Sequence, residues 1–259
     1  MKKAIITGAS KGLGKALSHE LCSRGYEVLL VARSEELLAS LAEELTLQYS
    51  VKAHYLTIDL ALAEAIDQVA QWCESNKFQP SVLANNAGFA CWGYFDKLPL
   101  PKQLDMLQLN MQSMVALTYR LLPLLRGNEQ AYILNVCSTS AYQSVPTLTL
   151  YSASKAFVRS FSRGLRYELR KSNVSVTCLS PGPMSTHFLE EANMRAMEST
   201  AKKFEMSPEL VARQGISAML KRRPEVIPGF TNFITVAVSK FIPDAWLERI
   251  AANLYESKL

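Results

Sequence analysis

The sequence predicts a doubly wound α/β fold, a parallel sheet covered by helices on both faces. Three observations carry this. Short apolar runs alternate with amphipathic helical stretches along 259 residues. The first run turns through a glycine-rich loop straight into a helical pattern. Polar or glycine positions, namely Gly8, Arg33, Asp59, Asn86 and Ser138, stand where five successive strands should end. Continuous apolar runs suit strands buried on both faces. Regular alternation calls for crossover connections between parallel strands. Ligands in such sheets sit beyond the C-terminal strand ends.

Taken in order, Lys3-Ala4-Ile5-Ile6-Thr7 is a short buried strand, and Leu13, Ala16, Leu17 and Leu21 mark a helix over 13–24. Further strands are expected at 26–32, 52–58, 81–85, 131–137, 174–179 and 225–227. Further helices are expected at 34–48, 62–76, 101–126, 151–171, 208–222, 231–241 and 245–257. In the penultimate helix Phe230, Phe233, Ile234, Ala237, Val238 and Phe241 recur at helical spacing on one face. Pro243 breaks that helix, and Asp244 caps a last one with Trp246, Leu247, Ile250 and Leu254 on its inner face. One reading has both helices complete the core; the other has the first supply a wall of the substrate pocket, a subunit interface or a membrane-facing edge, with packing on the substrate side expected. The stretch 184–206 carries Met184, Phe188, Leu189, Met194, Met197, Phe204 and Met206 without a strand pattern. It reads equally as a lid or as a peripheral helix packed on the core.

Bulk properties narrow the function classes. The chain is 49% hydrophobic and 20% charged, with no linker or repeat, so one domain over 1–259 is expected. A net charge of +5 without a long basic run argues against a nucleic-acid partner. The densest cluster, Lys221-Arg222-Arg223, suits a helix C-terminus. Cys22, Cys73, Cys91, Cys137 and Cys178 are odd in number and widely spaced, as in reduced thiols, and neither they nor His19, His54 and His187 form a metal pattern. Met1-Lys2-Lys3 precedes too short an apolar run for a secretory leader, and no run of about 18 apolar residues suggests a membrane span. A cytoplasmic location is therefore expected.

Two constellations carry the chemistry. Gly8, Gly12 and Gly14, with Ser10, Lys11 and Leu13 between them, lie between a strand and a helix. Glycines there let the backbone approach a pyrophosphate, and the helix N-terminus offers free N–H groups and a positive dipole end. Tyr151 and Lys155, in Tyr-Ser-Ala-Ser-Lys, fall on one helix face, one turn apart. An ammonium beside a phenol favours the phenolate, which makes the tyrosine usable as an acid or base near neutral pH.

With these residues in hand, the chain resembles a classical short-chain dehydrogenase/reductase over roughly residues 3–190. The match rests on Thr7-Gly8-x-x-x-Gly12-x-Gly14, Asp59-Leu60, Asn85-Asn86-Ala87-Gly88, Asn110, Ser138, Tyr151-x-x-x-Lys155 and Pro181-Gly182. The C-terminal part is weakly similar to the hydroxysteroid dehydrogenase and long-chain 3-oxoacyl reductase branch. The resemblance implies a Rossmann-type sheet. It makes Tyr151 the proton donor to a carbonyl, Ser138 a hydrogen-bond partner of the same oxygen, and Lys155 the group that tunes Tyr151 and holds the nicotinamide ribose. Asn110, inside a helix, would anchor a water that links Lys155 to solvent. Asp59 and Leu60 would border the adenine, Asn86, Ala87 and Gly88 the adenosine ribose, and Pro181, Gly182 and Thr186 the nicotinamide. In similar proteins the helices around 101–126 and 151–171 pair between subunits. Here Leu104, Leu107, Met111, Met114, Phe157, Phe161 and Leu165 would form that contact in a homodimer or homotetramer.

The cofactor follows from the second strand. An acid about 20 residues past the glycines marks NAD(H). Here that strand ends Val31-Ala32-Arg33, and Lys11 adds a second cation, a pair suited to the 2′-phosphate of NADP(H). The competing reading pairs Arg33 with Glu35 or Glu36. The expected activity is reduction of a small apolar ketone or aldehyde to an alcohol. Cys91, Trp92 and Tyr94 are expected beside the substrate, with Cys91 unreactive. A non-catalytic NADPH-binding protein and a nucleotide-sugar epimerase are the alternatives.

Overall fold

A computed structural model describes residues 2–184 and 205–256. Seven strands alternate with helices: β1 Lys3–Thr7, α1 Gly12–Cys22, β2 Glu27–Ala32, α2 Glu35–Tyr49, β3 Ala53–Thr57, α3 Ala65–Ser75 and β4 Val82–Asn85 open the chain. Then come α4 Leu100–Leu107, α5 Met114–Arg126, β5 Ala131–Val136, α6 Thr149–Glu168, β6 Val174–Leu179, α7 Pro208–Leu220, β7 Glu225–Val226, α8 Phe230–Ser239 and α9 Asp244–Glu256. Every element expected from periodicity is present, with ends shifted by at most three residues.

The strands form one parallel sheet ordered β3-β2-β1-β4-β5-β6-β7. The winding direction reverses between β1 and β4, and the crevice there is the place where doubly wound sheets take ligands. Successive strand residues point to opposite faces, so each strand feeds two cores. Ile6, Leu30 and Leu134 pack with Leu17, Leu38 and Ile216 of α1, α2 and α7. Ile5, Leu29 and Ile133 pack on the other face with Val69, Leu117 and Leu121 of α3 and α5.

Two expectations need correction. The helix anticipated over 101–126 is interrupted by a π-helical turn, Gln108–Ser113. There the Ser113 hydroxyl lies 2.6 Å from the Leu60 carbonyl and 3.1 Å from its own Gln108 carbonyl. Such turns re-aim side chains within a helix, and this one contains Asn110. The second correction concerns α8, which is inverted. Its buried residues are Asn232, Val236 and Ser239, while Phe230, Phe233, Ile234, Val238 and Phe241 face outward. On the inner side the Asn232 Nδ2 donates to the Pro228 carbonyl, four residues back, at 2.9 Å, and the Ser239 hydroxyl to the Val236 carbonyl of its own helix at 3.0 Å. In α9 Leu247 and Ala251 are buried, but Trp246 and Ile250 are exposed.

Candidate active site

The first strand end is held by side chains. The Thr7 hydroxyl accepts from the backbone N–H groups of Asn86 (2.9 Å) and Ala87 (3.0 Å), and the Asn86 Nδ2 donates to the carbonyls of Thr7 (2.9 Å) and Gly8 (3.1 Å). This lashes the end of β1 to the end of β4 across the reversal point. Gly8 and Gly12 have φ of 62° and 52°, a left-handed backbone that favours glycine. A Cβ on Gly14 would lie 2.0 Å from the Gly8 carbonyl oxygen, so the helix can approach the loop only without a side chain. The N-cap residue of α1, Lys11, makes no side-chain cap, and among the described residues the first N–H groups of the helix are open to a ligand.

A cavity of about 590 Å³ runs along the strand ends. Gly8, Ser10, Lys11, Gly12, Leu13, Arg33, Asp59, Leu60, Asn86, Ala87, Gly88, Ser138, Tyr151, Lys155, Pro181 and Gly182 all line it. Thr7, Gly14 and Asn110 are behind the lining and support it. Thr186, and all of the 184–206 stretch except Met184, Glu205 and Met206, lie outside the described residues; Met184 bridges to Met206 and lines the cavity. At the outer end Arg33 is largely exposed, and its guanidinium is 4.0 Å from the Asp59 carboxylate. Its ion-pair partner is thus Asp59 rather than Glu35 or Glu36.

At the inner end three elements converge. Ser138 starts a short 3-10 turn, Thr139–Tyr142, and its Oγ accepts from the Ser140 N–H at 3.1 Å. The same side chain hydrogen-bonds Tyr151. Tyr151 and Lys155 are buried on α6, with the Lys155 Nζ 5.7 Å from the Tyr151 ring centroid. That ammonium donates to the Val136 carbonyl at 3.1 Å. Asn110 bonds both backbone groups of Phe89, its Oδ1 accepting at 3.1 Å and its Nδ2 donating at 3.0 Å, and its Nδ2 also donates to the Ser154 hydroxyl at 3.2 Å. Gly88 keeps this corner open: a Cβ there would sit 2.6 Å from the Asn110 Oδ1 and 3.7 Å from the Lys155 Nζ.

The electrostatics differ from the expectation for this pair. Burial pushes the Tyr151 hydroxyl well above the usual phenol range, and the hydrogen bond with Ser138 only partly opposes this. Burial likewise pushes Lys155 below its ordinary value. The polypeptide by itself therefore holds Tyr151 protonated at neutral pH. That is the form needed to donate a proton to a carbonyl.

Several lining residues were invisible in the sequence reading. Asn232, Thr235, Val236 and Ser239 of α8 and Tyr255 of α9 also line the cavity. Tyr255 packs in one cluster with Tyr151, Val145 and Leu148. Only helical periodicity marked α8 and α9, and periodicity does not say which face meets a cavity 80 residues away in the chain. Of the residues expected beside the substrate, Cys91 and Trp92 are buried in that cluster without lining the cavity, and Tyr94 is exposed. Burial raises the Cys91 thiol above its ordinary value, in keeping with an unreactive role.

The profile of short chain dehydrogenases matches residues 2–196. A very-long-chain 3-oxoacyl-CoA reductase from Anas platyrhynchos is 38% identical over 188 residues, 71% of this chain and 60% of that protein. A reductase of the same name from Laccaria bicolor is 35% identical, and the match spans only 53% of its length. Hydroxysteroid dehydrogenase-like protein 1 from Gallus gallus is 30% identical over 98% of this chain and 71% of its own. Among solved structures, a Sphingobium yanoikuyae short-chain dehydrogenase in complex with NADPH has a TM-score of 0.80 at 23% identity, covering 93% of both chains. A Burkholderia phymatum relative in complex with NAD has a TM-score of 0.81 at 22% identity over 91% of this chain and 92% of that one. Both share the Rossmann-like sheet described above. The reversal-point cradle, the buried tyrosine–lysine pair and these matches converge on one conclusion: the chain belongs to the short chain dehydrogenase family of oxidoreductases.

Proposed function

We propose that the protein reduces a hydrophobic ketone or aldehyde with NADPH, reversibly, in the cytoplasm. One observation carries this reading: Ser138, Tyr151 and Lys155 converge at one end of a cavity whose other end bears Arg33 and Lys11. The glycine cradle and the uncapped start of α1 fit a pyrophosphate. Arg33, exposed and only 4.0 Å from a single carboxylate, fits a 2′-phosphate as a forked donor. When bound, the reduced nicotinamide supplies a hydride. Tyr151 holds the proton destined for the carbonyl oxygen, and Ser138 hydrogen-bonds the same oxygen as negative charge develops on it. Lys155 binds the ribose and stabilises Tyr151 once its proton has left. Asn110 fixes the Phe89 backbone beside Lys155 and anchors the route of proton resupply.

Purified protein with NADPH and a panel of acyl thioesters, steroids, sugars and aldehydes tests the reading. We expect NADPH oxidation with the apolar carbonyls. NADPH binding without turnover on any of them would instead identify a non-catalytic nucleotide-binding protein. We further propose a homodimer or homotetramer through α4, α5 and α6, where Leu104, Tyr119 and Phe157 are exposed and Phe157 stacks on Phe161. Met114 takes no part, being buried in the subunit's own core. Sedimentation as a monomer at micromolar concentration would end that proposal.

A further inference from the structure

We infer that Tyr142 and Glu225 form a clamp that holds Ser138 in place against Tyr151 and Lys155. The inference rests on the reductase reading and adds two positioning residues to that site. Tyr142 is the last residue of the 3-10 turn that follows Ser138, and it lines the cavity. Its hydroxyl donates to the Glu225 Oε1 at 2.7 Å and lies 3.3 Å from the Ser180 Oγ. Burial pushes this hydroxyl well above the usual phenol range, which keeps it a donor at neutral pH. The Glu225 Oε1 also accepts from the Arg159 Nε at 2.8 Å, and the Glu225 Oε2 is 3.8 Å from the Arg163 Nη1. The Arg159 guanidinium in turn lies 4.5 Å from the centre of the Tyr142 ring.

Arg159 and Arg163 stand one and two turns past Lys155 on α6. Glu225 opens β7 and pairs with Cys178 of β6. One carboxylate therefore joins the turn that follows Ser138, the helix that carries Tyr151 and Lys155, and the edge of the sheet. The backbone of the turn is held at two other points. The Thr139 N–H donates to the Pro181 carbonyl at 2.9 Å, and the Ala141 N–H to the Ser138 carbonyl at 3.1 Å. The Ser140 hydroxyl is buried without a partner among the described residues. Tyr142 adds, through Glu225, a side-chain tie from the turn to α6. Exposed ion pairs contribute little, but the Glu225 side chain is only 17% exposed and takes three partners. A hydrogen bond to an ionised carboxylate is among the stronger kinds. Position matters because a misplacement of ~1 Å can cost roughly 10²-fold in rate.

The test compares the wild-type chain with Tyr142→Phe, Glu225→Ala, their double variant and Glu225→Gln. Each of the first two should lower kcat about 10-fold, less than the ~10²–10³-fold of deleting a transition-state donor outright. KM and NADPH affinity should hold within about twofold, the pattern of an interaction used in the transition state. The double variant should be no worse than either single one, because both break the same clamp. Glu225→Gln should recover most of the loss, since its amide oxygen still accepts from Tyr142. Thermal unfolding checks that each variant is folded, and Tyr142→Phe, which keeps the ring, decides the matter if Glu225→Ala unfolds. Independently of turnover, amide hydrogen exchange over 138–142 should speed up about 10-fold in both single variants, and less in Glu225→Gln. Unchanged exchange in Tyr142→Phe overturns the inference. So do additive losses in the double variant, or a raised KM at constant kcat, which would make Tyr142 a wall of the cavity only. A wild type that turns over no carbonyl would end the reductase reading, and the exchange rates would still decide the clamp.

Discussion

The strand-end half of the molecule and its C-terminal helices obey the same periodicities and use them in opposite ways. In α1 the apolar stripe Leu13, Ala16, Leu17 and Leu21 is buried against the sheet. In α8 the equally regular stripe of Phe230, Phe233, Ile234 and Val238 is exposed. What differs is the neighbour. Helix α1 packs on an apolar sheet face, which accepts only apolar partners. Helix α8 packs on Gly182, where a Cβ would come within 2.5 Å of the Asn232 amide, and its Asn232, Thr235, Val236 and Ser239 line a cavity. The face a helix turns inward depends on what its neighbour can accommodate.

The strongest way to break this comparison is at the shared floor of the site. Tyr151→Phe removes the hydroxyl and keeps the ring that packs with Tyr255. Turnover should fall by ~10²–10⁴-fold, the range for a positioned general acid. NADPH affinity should change little, because the cradle of Gly8 and Gly12 is untouched. Steady-state rates with a titration of bound NADPH check both halves of this outcome, and wild-type turnover would remove Tyr151 from the chemistry.

Next in size is the cofactor end. Arg33→Asp replaces a forked cation by an anion beside Asp59. Loss of one charge-assisted bidentate contact is worth about 1.5–3 kcal/mol, or roughly 10–150-fold, before repulsion is counted. NADPH should weaken by that factor relative to NADH in competitive binding. An unchanged ratio would mean that the 2′-phosphate is held elsewhere or is absent from the natural cofactor.

These two sites were legible in the sequence for a physical reason. Backbone geometry at a phosphate cradle admits only glycine, and a tyrosine and lysine one helical turn apart have a spacing that does not depend on the rest of the fold. Strands were equally legible, since Ile5 and Leu29 are buried whichever sheet face they meet. The π-turn at Asn110 was not, because it depends on Ser113 finding the Leu60 carbonyl 53 residues earlier. Nor was Tyr255, whose place beside Tyr151 is set by how the last helix returns to the site. Spacing shows the ammonium near Tyr151, but how far burial favours the protonated phenol is a property of the folded chain.

A smaller effect should separate the two sides of α8. Val236 is buried and lines the cavity. Val236→Ala removes apolar wall worth about 0.8 kcal/mol per methylene equivalent. If α8 walls the substrate end, KM for bulky apolar ketones should rise by roughly 3–10-fold while NADPH affinity holds. Equal losses for small and bulky carbonyls would show instead that the change loosens the whole site.

The smallest expected effect is the most telling about α8. Phe230 and Phe241 are the most exposed aromatics of the C-terminal region. Were the stripe packed inward, as its spacing alone suggests, Phe230→Ser with Phe241→Ser would open a core and cost several kcal/mol, since phenylalanine truncations in cores typically cost about 3–5 kcal/mol each. With the stripe outward, each side chain has given up little contact with water on folding, so its loss is a surface substitution. Unfolding free energy in denaturant should then stay within about 0.5 kcal/mol per substitution of the wild type. Turnover on a small carbonyl that dissolves freely in water should also be unchanged, because Asn232, Val236 and Ser239 remain on the opposite side of the helix. A loss of several kcal/mol would reinstate the inward face.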